Sequence, residues 1–286
     1  MEIFAQTVVS GLLIGFVYAL IAVGLTMIFG VMDIVNFAHG EYLMLAMYLA
    51  YWGFALLGID PLYSLPGVTL VLFGLGILTY YLLIKKIIDA PMLSQIFVTF
   101  GILIFLRGFA QFLWKADYRA IPHSLLSGNL QVAGVYIGLP QIVAAIGAVV
   151  CNGLILLFMK KTRLGTALEA VAEDKEAARL MGINSDRMFA LAWGIGIASV
   201  GVAGALLSSF YYAFPEVGGN FCLIAFVVVA LGGFGSVVGA FIAGVIVGLV
   251  EVMSGYLLAP SIKFVVVLFL YLAVVLVRPQ GLFGKA

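Results

Sequence analysis

The stretch 7–29, TVVSGLLIGFVYALIAVGLTMIF, contains no charged side chain in 23 residues. A helix of about 20 apolar residues crosses the hydrocarbon core of a bilayer, so this stretch predicts a membrane-spanning helix. No basic residue precedes it, and the run is longer than the core of a signal peptide. We therefore expect the segment to be retained as a span.

Similar apolar runs recur along the chain and predict an integral membrane protein. The sequence is 65% hydrophobic and 9% charged, with a net charge of +1. This composition argues against a nucleic-acid partner, which would need a basic face. We predict an all-α polytopic membrane protein, residues 1–286 forming one transmembrane domain in contact with lipid, with about eight full spans. The spacing of Cys151 and Cys222 predicts buried thiols and no disulfide or metal site.

Lysine and arginine clusters predict which loops are cytoplasmic. Three clusters qualify: Lys85–Lys86, the segment 160–187, and the tail with Arg278 and Lys285. Two apolar runs separate the first two clusters, so the loop that contains His123 is predicted to be external. Three runs before Lys85 place the N-terminus outside.

The same parity argument predicts a short extra crossing in the second half of the chain. Only three long runs connect the segment 160–187 to the tail, and an even number is required. The stretch Phe221–Leu231 would rise about 16 Å as a helix, roughly half the hydrocarbon thickness. We predict a half-helix here that ends at the glycine-rich residues 232–236.

Residues 160–187, called the charged segment below, contain eleven of the chain's 14 basic and 13 acidic side chains. Thr166 and Glu169 match a capping box and predict a helix start, and Gly182 suits the left-handed residue after a helix. The predicted apolar face contains Leu168, Val171, Ala172, Ala178 and Met181. Glu169, Glu173 and Glu176 share another face, where like charges disfavour an isolated helix. The segment is therefore predicted to dock on a cationic surface of another protein.

Ionisable residues within the apolar runs indicate function, because burying charge in a membrane is costly. Two interpretations of 36–41 stay open: Asn36 caps a helix at the cytoplasmic membrane edge, or His39 relays protons. His39 and Glu41 do not face each other on a helix, and no ligand set completes a metal site.

Three further charged residues lie within or at the edge of apolar runs. Arg107 is predicted either to extend toward the external surface or to pair with a carboxylate. Glu251 is the candidate partner by elimination. Lys263 is predicted to anchor the edge of a span.

Interrupted hydrophobic segments in both halves of the chain indicate a transport pathway, although glycine-mediated helix packing gives a similar pattern. The pathway candidates are Asn36, His39, Glu41, Gly232, Gly233, Gly235 and Ser236. No P-loop or nucleophile elbow is present in the sequence, so we predict no catalytic residue and no cofactor in this chain. If ATP drives transport, a separate subunit must hydrolyse it. The alternative is an ion-coupled secondary transporter or channel with a charge path through His39, Glu41, Arg107 and Glu251.

Four motifs together resemble the permeases of branched-chain amino-acid ABC importers. They are NFAHGE at 36–41, GTA at 165–167 with EDKEAARLMGINSDR at 173–187, ALGGFGSVVGA at 230–240, and RPQGLFG at 278–284. The resemblance covers nearly the whole chain, and the phrase ending in Glu41 is similar to the shorter of two paired permeases. Where many members of that family have small residues, this chain has Met44–Tyr48 and Tyr51–Trp52, so this span does not indicate the substrate. Amides or urea stay open as alternatives to branched-chain amino acids.

The resemblance implies a type II importer fold in a bacterial inner membrane. The implied partners are a homologous second permease or a second copy of this chain, two cytoplasmic ATPase subunits that bind ATP and Mg²⁺, and a periplasmic binding protein. The charged segment then contains the ATPase-coupling helix. The residues assigned to coupling are Thr166, Glu169, Glu173, Asp174, Glu176, Arg179 and Gly182.

Overall fold

The computed structural model describes residues 2–122, 124, 125, 127–132 and 134–284. His123 and Lys285, which the charge argument places in an external loop and in the cytoplasmic tail, lie outside the described residues.

Helices account for nearly all of the regular structure. In chain order they are α1 Glu2–Met32, α2 His39–Leu57, α3 Pro61–Leu82, α4 Met92–Trp114, α5 Leu139–Lys161, α6 Arg163–Glu173, α7 Lys175–Leu180, α8 Ser185–Leu207, α9 Val217–Gly232, α10 Val237–Leu257 and α11 Lys263–Val277. A small antiparallel hairpin, β1 Asn129–Val132 and β2 Val135–Gly138, lies between α4 and α5. Within the described part of the chain, eight helices are long and apolar enough to cross a membrane, which confirms the predicted fold class.

Helix α1 forms the centre of the bundle and packs most extensively against α10 and α8. Every residue of α1 from Val17 to Ile28 is buried. Close packing with α10 requires small residues, because a Cβ atom on Gly15 would lie 2.9 Å from the Val245 Cα. By contrast, α4 and α11 expose apolar side chains such as Phe112 and Phe269, as lipid-facing helices do.

The short crossing predicted from parity is α9. It has 16 residues, starts at Val217 rather than Phe221, and rises roughly 24 Å. It ends at Gly233, whose φ of 100° favours glycine. The tail covers this end: the Leu282 and Phe283 amides donate to the carbonyl oxygens of Leu231 and Gly232. The glycine-rich motif and the tail motif therefore form one structural unit, in which the tail satisfies carbonyl groups that a helix end leaves unpaired.

Candidate functional site

The charged segment folds into two short helices with a break at Asp174. The predicted helix start at Thr166 is wrong: α6 begins one turn earlier, where the Thr162 hydroxyl accepts a hydrogen bond from the Gly165 amide at 3.0 Å. Thr166 instead donates its hydroxyl to the Thr162 carbonyl. The helix starts early because Gly165 packs tightly against the last carbonyl groups of α5, where a side chain would not fit.

Asp174 starts the second of these helices. Its carboxylate accepts hydrogen bonds from the Glu176 and Ala177 amides, both at 2.9 Å, as an N-cap does. The predicted left-handed residue after the helix is confirmed, since Gly182 has a φ of 83°. The predicted single helix is therefore two helices joined by a capped corner.

The predicted apolar face of the charged segment is only partly buried. Leu168, Val171 and Ala178 are buried, whereas Ala172 is exposed. At the end of α7, Leu180 is 89% exposed and Met181 is 83% exposed. Two large apolar side chains thus project from the segment next to its acidic residues, and a partner protein would cover them favourably.

Ion pairs connect the charged segment to the loop between α3 and α4. Lys175 Nζ lies 2.5 Å from an Asp89 carboxylate oxygen, and Lys85 Nζ lies 2.9 Å from Asp186. The Lys175 ammonium, through its hydrogen bond and its charge, holds the pKa of Asp89 below the usual value. Because these side chains are all at least 30% exposed to solvent, the pairs position the segment more than they stabilise it.

A cavity of about 850 Å³, on the side that the charge argument places in the cytoplasm, links the charged segment to the glycine-rich motif. Its wall contains Glu169 and Glu173 from α6, Gly235 and Ser236 from the motif, and Asp33 after α1. The Ser236 hydroxyl accepts a hydrogen bond from the Gly239 amide and caps α10. The structure therefore brings part of the predicted coupling set and part of the predicted pathway set to the wall of one cavity.

The remaining pathway candidates lie deeper in the bundle. His39 Nε2 is 2.9 Å from the carbonyl oxygen of Ile21, which is eleven residues before the end of α1. Along a helix axis this distance is roughly 16 Å. Residues 33–38 therefore run back along α1, and α2 begins inside the bundle. The capping interpretation expected this helix to begin at the cytoplasmic membrane edge.

This returning segment is enclosed by protein. Ile34, Asn36 and Ala38 are buried, and the Asn36 side chain accepts the Ala38 amide at 3.1 Å. The Thr99 hydroxyl of α4 donates to the Val35 carbonyl. Asn36 therefore satisfies a backbone donor as expected, but within the returning segment and not as the N-cap of α2, which is Ala38 and has no side-chain cap. Irregular backbone inside a membrane protein is tolerated only if protein or a cavity satisfies it.

Glu41 pairs with Arg107, so of the two alternatives for Arg107 the pairing with a carboxylate is confirmed. Arg107 Nη2 lies 2.5 Å from Glu41 Oε1, and the carboxylate side chain is 1% exposed. The prediction that Glu251 is the partner of Arg107 is wrong, because Glu251 pairs with Lys263 at 2.7 Å. Lys263, predicted only to anchor the edge of a span, therefore also pairs with a buried carboxylate. The charge path expected of an ion-coupled transporter is divided between two different ion pairs.

A glycine crossing beside this ion pair was missed by the sequence analysis. The first turns of α2 and α9 meet at Gly40 and Gly218, where a Cβ atom on Gly218 would lie 2.5 Å from the Gly40 carbonyl oxygen. Arg107 passes next to Gly219 at the same place. Gly40 and the Gly218–Gly219 pair at these helix starts could have indicated close packing, but glycine is frequent throughout this chain.

A second cavity, of about 310 Å³, opens in the half of the bundle that the charge argument places outside. Its polar wall contains Tyr18, Asn220, Glu251 and Lys263. Among the residues that the structure describes, no group of three or more His, Cys, Asp or Glu side chains could hold a metal ion.

Comparisons with known proteins agree on one kind of membrane protein. The sequence profile of the family described as "Branched-chain amino acid transport system / permease component" matches residues 7–276. The high-affinity branched-chain amino acid transport system permease protein BraD of Pseudomonas aeruginosa is 33% identical over 296 residues, or 99% of this chain and 96% of that protein. The corresponding permease protein LivH of Escherichia coli K12 has the same identity and coverage.

More distant similarities agree. A probable branched-chain amino acid transport permease protein LivH of Methanocaldococcus jannaschii is 29% identical over 284 residues, or 93% of this chain and 88% of that protein. The solved structure "PsaBC from Streptococcus pneumoniae in complex with Fab" superposes with a TM-score of 0.50 at 14% identity, over 95% of this chain and 91% of that one. This last likeness concerns the fold alone.

Proposed function

Because the chain belongs to the family of branched-chain amino acid transport permease components, we propose that it is the membrane-spanning subunit of an ATP-driven importer for branched-chain amino acids. The observation that carries the proposal is the similarity over nearly the full length of both this chain and its relatives. The chain forms the solute pathway, and separate subunits hydrolyse ATP.

The proposed assembly contains three kinds of partner. Two ATPase subunits bind the charged segment on the cytoplasmic side, a second permease or a second copy of this chain completes the pathway, and a periplasmic binding protein delivers the solute. The membrane is the bacterial inner membrane. Selection among branched-chain amino acids, amides and urea is tested by competition for uptake.

The coupling contact is proposed to be α7 and its two flanking corners. The exposed side chains of Leu180 and Met181 supply apolar area, and Glu173 and Glu176 supply negative charge beside it. Gly182 and Asp174 fix the two ends of the helix. A groove with an apolar floor and a cationic rim on the ATPase would complement this surface.

The effect of ATPase movement would reach the pathway through α6. This helix contacts α1 and α8, and its acidic side chains line the cytoplasmic cavity with Gly235 and Ser236. A shift of the charged segment therefore changes the shape of the cavity that the glycine-rich motif borders. We assign Gly232, Gly233, Gly235 and Ser236 to the cytoplasmic end of the pathway, and Asn36, His39 and Glu41 to its inner wall.

Charge reversal tests the coupling contact. The double variant Glu173→Lys, Glu176→Lys is expected to abolish solute-stimulated ATPase activity and leucine uptake in the reconstituted importer, while insertion of the chain into the membrane is unchanged. The matched control is Asp117→Lys, which reverses an exposed acid in the loop predicted to be external. Normal uptake and stimulation in the double variant would contradict the coupling role.

The ion-coupled alternative makes a different prediction. Proteoliposomes that contain only this chain would then transport solute along an ion gradient. We expect no such transport without the ATPase subunits and ATP. Transport by the chain alone would overturn the proposed function.

A further inference from the structure

The Glu251–Lys263 ion pair lies in the wall of the external cavity and has capacity for another ligand. Glu251 Oε1 accepts from Lys263 Nζ at 2.7 Å. Glu251 is only 3% exposed, and within the described residues its Oε2 accepts no hydrogen bond of standard geometry, although the Tyr18 hydroxyl lies beside the carboxylate. Leaving a buried carboxylate oxygen unpaired is costly, so a small movement of the side chain that brings this oxygen to a donor in the cavity would be favoured.

The other member of the pair also has unused capacity. An ammonium group has three donors, and Glu251 takes one of them. The Lys263 side chain is 37% exposed at the start of α11, so it can reach a group inside the cavity without losing the carboxylate. The pair therefore offers one free acceptor and free cationic donors side by side.

The rest of the wall separates into polar and apolar parts. Further polar groups come from Ser10, Tyr18, Gln141 and Asn220. The apolar part is formed by Leu13, Ile14, Phe210, Phe221, Ile224 and Phe264. The ring of Phe221 packs edge-on against both Tyr18 and Tyr211, with centroid distances of 6.1 and 5.3 Å, which gives this surface a fixed shape.

We propose that this cavity binds the solute as a zwitterionic α-amino acid, with Glu251 accepting from its ammonium group and Lys263 donating to its carboxylate. The proposal rests on the proposed function and specifies the site where the solute first enters this chain. An apolar side chain of branched shape would lie against the aromatic and aliphatic wall. At about 310 Å³, the cavity is at the small end of the range for ligand pockets, roughly 300–1,000 Å³.

The charges of such a complex balance. A zwitterion carries one positive and one negative group, and so does the pair, so binding brings no net charge into the membrane. Each charged group of the solute meets an opposite charge in surroundings of low dielectric constant, where charge-assisted hydrogen bonds are strong. An analogue without the ammonium group would make no charged contact with Glu251, and one without the carboxylate would make none with Lys263.

The position of the cavity agrees with delivery from outside. Glu251 lies six residues, or roughly 9 Å, before the C-terminal end of α10, and Lys263 begins the next helix. The charge argument places this turn on the external side. A solute released by an external binding protein would therefore meet this site before it reached the cytoplasmic cavity.

Protection of an introduced cysteine tests occupancy with little change to the fold. Ser10→Cys places a thiol in the cavity wall, and Asp117→Cys places a matched thiol on the same side, away from the cavity. In the importer purified with its partner subunits, millimolar leucine is expected to slow labelling of Ser10→Cys by a polar thiol reagent several-fold and to leave Asp117→Cys unchanged. Equal labelling of Ser10→Cys with and without leucine would overturn the proposal.

The charge-neutral double variant Glu251→Gln, Lys263→Gln tests recognition by charge. The first change is isosteric and the second shortens the side chain, but both charges are removed together and neither is left unpaired, so the unfolding temperature should stay close to that of the wild type. Leucine binding and uptake are expected to fall about tenfold or more, as for the loss of a charge-assisted contact. In the wild type, leucinamide and 4-methylpentanoate, which lack one charged group each, are expected to compete poorly with leucine.

The two levels of the argument fail in different ways. If the wild-type importer takes up no branched-chain amino acid, the proposed function is wrong and the cavity assignment falls with it. If the wild type transports leucine and the double variant does so at the same rate, the proposed function stands and the cavity assignment is wrong.

Discussion

Replacing Arg107 by methionine would leave the Glu41 carboxylate, 1% exposed, without its guanidinium partner. Breaking a buried ion pair from one side costs about 3–5 kcal/mol, because the remaining charge is desolvated and unpaired. The reverse change, Glu41→Gln, leaves Arg107, which is 30% exposed and can extend toward polar surroundings. We therefore expect a smaller loss, about 1–3 kcal/mol. The structure thus predicts unequal costs for the two halves of one ion pair.

The double variant Arg107→Met, Glu41→Gln tests whether the unpaired carboxylate causes the loss of stability. Because Glu41→Gln removes the charge that Arg107→Met leaves unpaired, the double variant should be more stable than Arg107→Met alone. The free energy of unfolding, measured in bicelles for the four proteins, gives the coupling term directly. A control, Lys115→Met, removes an exposed cation just after α4 and should change stability by less than about 0.5 kcal/mol. Equal costs for the two single variants, or strict additivity in the double variant, would refute the burial argument.

Other variants test local features. Gly40→Ala should destabilise by about 1–3 kcal/mol, because a Cβ atom there overlaps the facing carbonyl oxygen of α9, whereas Gly74→Ala, in open space on α3, should be neutral or stabilising in the same unfolding assay. Asp174→Ala removes the N-cap of α7 and should weaken that helix by about 0.5–2 kcal/mol, seen as faster amide exchange in its first turn. Lys175 lowers the pKa of Asp89, so their contact stabilises the segment above about pH 4 and is lost as the pH falls through the lowered value. Asp89→Asn should remove this acid dependence of exchange in α7, and an unchanged profile would contradict it.

The number of spans could be predicted from the sequence because bilayer thickness limits helix length and because lysine and arginine fix the parity of crossings. The same rules required α9 and explain why it is short. The left-handed position at Gly182 could also be anticipated, since it depends on local backbone geometry.

The depth of α2 could not be predicted, because parity counts crossings and does not locate where a helix begins. Its position depends on the contact between His39 and Ile21 and on the ion pair between Glu41 and Arg107, which join distant parts of the chain. The sequence analysis assigned Glu251 to Arg107 by elimination and did not consider Lys263 as its partner. Lys263 lies close to Glu251 at the α10–α11 turn. The capping box at Thr166 was a local pattern that the tight corner after α5 overrode.

The returning segment 33–38 has a consequence for how the chain is made. Helix α2 is the least apolar of the candidate spans in the described residues, with a mean hydropathy of 1.2, and Glu41 lies in its first turn. The arginine that neutralises this carboxylate is 66 residues further along the chain. At about 5–20 residues per second, several seconds of synthesis separate the two. We therefore expect α2 to enter the lipid together with α3 and α4, once Arg107 has been made, rather than in order of translation.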